Sequence, residues 1–153
     1  VREILRDSRI GTYGVIALIV SFLLRIGALA SLAAAGAGPA VFALVAAHVG
    51  GRAALPLMMR VVPRAREDGL SATAGRPSAG VTAGALAIGL VVAVACLGLG
   101  ATLTATALGT VCLIVLARMA IRKIGGQTGD VLGAAEQVTE ILILLTAAAL
   151  LSG

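Results

Sequence analysis

The sequence predicts an all-α fold, a polytopic transmembrane helical bundle of about five spans forming one integral membrane domain over residues 1–153. Three observations predict it. The chain is 59% hydrophobic and only 12% charged, whereas a soluble domain carries about a quarter charged residues. So few charges could not cover a water-facing surface, and a soluble helical scaffold is excluded. Apolar runs near the roughly 20 residues needed to cross a bilayer recur five times. The links between them alternate between basic and uncharged.

Taken in order, the spans fall near 12–34, 39–62, 81–99, 101–121 and 131–151. Arg2, Arg6 and Arg9 stand ahead of the first, and the link around Gly36 and Pro39 has no charge. Arg60, Arg64, Arg66 and Arg76 fill the second link, the third around Gly98 and Gly100 has no charge, and Arg118, Arg122 and Lys123 mark the fourth. Ten of the twelve basic residues therefore gather on one side, and only Arg25 and Arg52 fall inside spans. The positive-inside rule then puts the N-terminus and the polar loops in the cytoplasm.

Smaller features follow from composition. Gly80 and Gly84 have GxxxG spacing, which predicts close helix packing at the start of the third span. Cys96 and Cys112 sit in apolar runs and read as buried small hydrophobes rather than zinc ligands. The net charge of +5 suits cytoplasmic loops rather than nucleic acid, since the aromatics that would stack on bases are lacking. The charged opening, Val1 to Arg9, is no signal peptide and reads like the middle of a longer protein.

Three polar segments share the basic side: Arg6 to Gly14, Arg64 to Ser78, and Arg122 to Asp130. In the third, Gly125-Gly-Gln-Thr-Gly129 offers backbone N–H groups to an anion, and Asp130 stands where a helix N-cap is expected. Asp130 would repel a bare phosphate, so a divalent cation between them, Mg²⁺ by its habit of binding carboxylates together with substrate oxygens, resolves the conflict. An ordinary capped helix start is the simpler alternative. Asp7 and Asp68 are further candidate metal ligands. Arg9, Arg52, Arg66 and Lys123, with Gly125, Gly126, Thr128 and Gly129, are candidates to hold substrate phosphate.

Glu136 and Glu140 are four apart on the last span and share a helix face. Carboxylates at that depth usually face a polar cavity, so with Asp130 they are the candidate catalytic acids. A structural role, pairing with Arg52 or Arg25, is the alternative. His48, four residues before Arg52, reads as a helix-bridging side chain because a lone His makes no triad. Arg25 has no partner close by in sequence.

The stretches Arg6-Asp-Ser-Arg-Ile-Gly-Thr-Tyr-Gly14, Arg66-Glu-Asp-Gly-Leu70 and Gly125-Gly-Gln-Thr-Gly-Asp130, the last followed by Leu132-Gly-Ala134 and Glu140, together resemble the C-terminal portion of the cobalamin synthase family, the adenosylcobinamide-GDP ribazoletransferases. Arg52 matches a recurrent arginine of that family, and Glu67 departs from a more usual Pro. The resemblance implies a Mg²⁺-dependent transferase in vitamin B12 biosynthesis. It would join α-ribazole, or α-ribazole 5′-phosphate, to adenosylcobinamide-GDP with release of GMP. Those two small molecules and membrane lipid are the partners implied, with no nucleic acid, and an oligomer is left open. The family's Asp-rich segment should lie upstream of the first match, so the chain alone is expected to be inactive. Competing classes are a transporter or channel subunit, whose inverted repeats are not visible here, and another Mg²⁺-dependent membrane phosphotransferase.

Overall fold

The computed structural model describes residues 11–65 and 75–151. They form four helices: α1 (Thr12–Ala35), α2 (Ala37–Val61), α3 (Ala79–Ile124) and α4 (Gly129–Leu151). All four are long and apolar enough to span a membrane. Helix is the form such sequences take in lipid, because it satisfies every backbone polar group within one segment.

Glycine and serine set the ends. Gly36, at φ 139°, is the one-residue link between α1 and α2. Ser78 caps α3, its Oγ accepting from the Val81 N–H at 3.2 Å. Gly125 ends α3 in the left-handed region at φ 85°, its N–H bonded to the Ile121 carbonyl, a glycine-specific stop.

Four helices rather than five is a correction to the expected count. The spans expected at 81–99 and 101–121 are one element of 46 residues, broken by non-helical dihedrals at Gly98 (φ 77°, ψ 169°). A straight helix of that length would run about 69 Å, more than twice a bilayer's hydrocarbon core. Both its ends instead lie beside the end of α2. Arg60 Nη1 donates to the Pro77 carbonyl at 3.1 Å, just ahead of α3, and Gln127 Nε2, just beyond it, donates to the carbonyls of Met59 and Val62. The helix therefore folds back at Gly98, and a single glycine makes the turn.

α2 is the hub, packing most extensively on α3 and α4. Its Ala43, Ala46 and Ala47 meet Leu32 of α1, Ala101 of α3 and Leu144 of α4 in the main core. Met58, Val62 and Ala135 make a second core nearer the loops. Alanine dominates because small side chains let helix backbones approach closely. The expected GxxxG contact does not form: a Cβ on Gly84 would meet nothing within 4 Å, and one on Gly80 only the Ser78 Oγ at 4.0 Å. The close approach lies elsewhere, at Gly89 against Ala53 and Gly50 against Ile143. Cys96 and Cys112 are free and half-buried rather than fully buried. Ile16, Leu23, Ile88, Val91 and Ile114 stand exposed, as lipid-facing side chains do.

Candidate functional site

The charged residues inside the helices form a ladder. α2 and α4 run antiparallel with small residues between them, and His48 and Arg52, four apart on α2, face Glu140 and Glu136, four apart on α4. His48 Nδ1 lies 3.1 Å from Glu140 Oε1, and Arg52 Nε lies 3.7 Å from Glu136 Oε1. Gly51 sits between the rungs. A Cβ there would come within 2.7 Å of Glu140 Cγ and 3.2 Å of the Glu136 carbonyl, so the acidic face of α4 rests directly on the α2 backbone.

A third helix closes the upper rung. Arg25 of α1 reaches Glu140 Oε2 at 2.8 Å and donates from the same Nη2 to Gln137 Oε1 at 2.7 Å. The Glu140 side chain is 5% exposed and thus wholly committed to protein partners, whereas Arg52 is 77% exposed. The lower rung is the open one, with most of the Arg52 guanidinium free for another anion. Pro56, one turn further along α2, removes the helical bond that the Arg52 carbonyl would accept, which adds polarity at that level.

At the loop end, two segments distant in sequence cap α2. Arg76 donates twice to the Arg60 carbonyl, from Nε at 3.0 Å and Nη2 at 2.6 Å. Gln127 takes the Met59 and Val62 carbonyls with its amide, both at 3.3 Å. Its backbone also pairs with the strand-like stretch beside it: the Gln127 N–H donates to Pro63 O at 2.8 Å and the Ala65 N–H to Gln127 O at 3.0 Å. Gln127 is buried, and its Oε1 has no hydrogen-bond partner among the described residues. The backbones pass so closely that Gly126 has no room for a Cβ against Pro63.

α4 begins two residues beyond Gln127. The expectation that Asp130 is its N-cap is corrected: the helix starts at Gly129, and Thr128 is the cap, its Oγ1 accepting from the Val131 N–H at 3.4 Å. Threonine fills the same role as aspartate by the same oxygen geometry. Asp130 is instead an exposed acid of the first turn, where the helix dipole favours it. The glycine-rich turn offers fewer free N–H groups than expected, because those of Gly125 and Gln127 are bonded to the Ile121 and Pro63 carbonyls.

The structure thus joins Arg52 to Glu136 and sets Lys123, Gly125, Gly126, Thr128, Gly129 and Asp130 at the loop end. Arg9, Asp7, Arg66 and Asp68 lie outside the described residues. Glu140 is the centre of a buried three-helix contact. Sequence reasoning offered Arg25 and Arg52 as alternative partners for the two acids without choosing between them, and it missed Gln127. For Gln127, its lone amide between Gly126 and Thr128 was the only signal. No group of three His, Cys, Asp or Glu side chains suited to a metal ion forms among the described residues. The donor set therefore does not fit a cation caged by these side chains. Asp130 is paired with no cationic side chain among the described residues.

Comparison with known proteins gives the chain its relatives. The profile of the cobalamin-5-phosphate synthase family matches residues 1–148. An adenosylcobinamide-GDP ribazoletransferase of Bradyrhizobium diazoefficiens is 54% identical over 151 residues, covering 99% of this chain and 57% of that protein. Proteins of the same name from Azorhizobium caulinodans and Brucella ovis are 45% and 36% identical, and each match covers 94% of this chain. The chain spans 57% or less of the length of these relatives. No solved structure matches it. With its profile match running almost end to end and its identity to these relatives this high, the chain belongs to the cobalamin-5-phosphate synthase family.

Proposed function

We propose that the chain serves adenosylcobinamide-GDP ribazoletransferase chemistry. A hydroxyl of α-ribazole, or of its 5′-phosphate, attacks the diphosphate of adenosylcobinamide-GDP. The phosphoanhydride bond breaks, GMP leaves, and a phosphodiester joins nucleoside to corrinoid. Family membership supports this reading, and the observation that carries it is the open lower rung: an exposed Arg52 beside a half-buried Glu136, one to two turns from the exposed Asp130 at the start of α4.

Each residue then has a task. Arg52 offers its free guanidinium edge to a phosphoryl oxygen, which stabilises charge developing on the transferred group. Glu136, loosely paired and partly exposed, is the carboxylate placed to take the hydroxyl proton. Glu140, held by Arg25 and His48, is a positioning residue that fixes the face of α4 on which Glu136 sits. Thr128, Gly129 and Lys123 frame the loop-end approach for the diphosphate. A Mg²⁺ ion held by Asp130 together with diphosphate oxygens would neutralise the charge of the leaving group.

We further infer five membrane crossings from four helices, with α3 crossing twice about Gly98, in a bacterial inner membrane with the loop end in the cytoplasm. The basic residues crowd that end. The cross-helix pairing of Arg25, Arg52, Glu136 and Glu140 with one another speaks against a transporter reading, in which they would line a path.

The test is a chimera in which this chain replaces the matching 151-residue stretch of the Bradyrhizobium relative. It should transfer ribazole in membranes. Asp130→Asn should cut turnover by at least about a hundredfold, the scale of losing one electrostatic stabiliser, with membrane insertion intact. Near-normal turnover in that variant would remove Asp130 from the site, and an inactive parent chimera would sink the reading for this chain.

A further inference from the structure

Beside the end of α2 lies a cavity of about 300 Å³ whose lining includes three arginines, Arg60, Arg64 and Arg76, and no carboxylate among the described residues. None of Asp130, Glu136 or Glu140 lines it. Among the described residues none of the three arginines has an ion pair. Two of them are fixed in place without being neutralised. Arg60 Nη1 donates to Pro77 O at 3.1 Å, and Arg76 grips the Arg60 carbonyl through Nε and Nη2. Backbone carbonyls hold a guanidinium's direction without neutralising its charge.

The negative end of α2 offsets part of the Arg60 and Arg76 charge without an ion pair. Of its last carbonyls, Arg60 O is taken by Arg76, and Met59 O and Val62 O by Gln127. The start of α3, capped by Ser78, adds its positive dipole end next to Pro77. Two oriented guanidiniums and a third that anchors nothing among the described residues, around one cavity, make a receptor for a compact polyanion. Planar forks of this kind match phosphate oxygens two at a time.

We propose that Arg60, Arg64 and Arg76 form a phosphate-binding site at the loop end, separate from the Arg52–Glu136 rung. Its ligand chemistry is a phosphate ester or anhydride. A lipid headgroup in the adjacent leaflet and a soluble phosphate compound both supply it. The site stands on the cavity and its arginines and does not depend on the ribazole-transfer reading.

The experiment uses the whole chain in nanodiscs of neutral phosphatidylcholine, with pyrophosphate as the probe and calorimetry as the readout. Saturable binding is expected, weakening as salt rises. Arg64→Gln should reduce affinity about tenfold, the scale of losing one charge-assisted fork, with an unchanged thermal midpoint, since the Arg64 side chain anchors nothing among the described residues. Arg118→Gln, a charge change on α3 outside the cavity, should leave affinity unaltered. Adding phosphatidylglycerol to the discs separates the sources. If it weakens pyrophosphate binding more in the parent than in Arg64→Gln, the lipid headgroup occupies the site; equal effects assign it to a soluble phosphate. Absence of saturable binding in neutral discs, or equal losses for Arg64→Gln and Arg118→Gln, overturns the proposal.

Discussion

Glu140 is where residue-level physics and function pull against each other. It lies about 16 Å along α4 from Gly129, and Arg25 about 20 Å along α1 from Thr12, at 1.5 Å per residue. Two charges so deep are tolerated because each is the other's partner at 2.8 Å. Breaking one side of such a pair typically costs about 3–5 kcal/mol, whereas removing both charges is often nearly neutral. Glu140→Gln and Arg25→Gln should therefore each lower the thermal midpoint in detergent, and the double variant should recover most of the loss, with a coupling of at least about 1 kcal/mol. Additive losses would mean that the pair is not energetically linked, and an unshifted Glu140→Gln midpoint would return Glu140 to the candidate catalytic acids. The sequence made half of this legible. Matching four-residue spacings, His48 with Arg52 and Glu136 with Glu140, announced one face on each of two helices. Arg25 was legible only as one of two possible partners for the acids, because its contacts, such as Gln137 at 112 residues' separation, depend on which helices become neighbours, and no local pattern encodes that.

At the scale of elements, hydropathy located α1, α2 and α4 to within a few residues, because crossing length and composition are written locally. The joining of the third and fourth spans was not. Gly98 and Gly100 look alike in a chain with 20 glycines, yet only Gly98 has positive φ, at 77° with ψ 169°. That combination is essentially restricted to glycine, and a Cβ there costs about 1–3 kcal/mol. Gly98→Ala is expected to destabilise the protein by that amount, read as a lower midpoint in thermal unfolding. Gly100→Ala is the matched control. It is helical and exposed, and nothing lies within 4 Å of the added Cβ, so the higher helix propensity of alanine should leave stability level or slightly raised. If both variants lose equally, the fold-back does not hinge on the dihedral at Gly98. The same logic explains why the Gly80–Gly84 motif misled: spacing marks a smooth helix face, but a partner must be present on that face, and the close contacts went to Gly50, Gly51 and Gly89.

For the molecule as a whole, the arrangement places the start of α1, the end of α2, both ends of α3 and the start of α4 at one end of the bundle. Hydrogen bonds from Arg60, Arg76 and Gln127 tie four of these five termini together. The uncharged turns at Gly36 and Gly98 occupy the other end. Arg60, Arg64, Arg76, Arg118, Arg122 and Lys123 at the first end resist translocation across an energised membrane, so that end should be cytoplasmic. The labelling experiment starts from Cys96→Ala and Cys112→Ala, which clears the two native thiols. Single cysteines then replace Ala79 and Arg122 at the loop end, and Ala35 and Gly100 at the turn end, all four exposed. In intact cells whose outer envelope is permeabilised, a membrane-impermeant maleimide should modify the cysteines at 35 and 100 and spare those at 79 and 122, which react only once the inner membrane is opened. The outcome at 79 and 122 carries the most weight, because they bracket α3. If they react from opposite sides, α3 crosses once and the fold-back at Gly98 fails. If instead 79 and 122 react from outside while 35 and 100 are spared, the bundle is inverted and the loop end faces away from the cytoplasm.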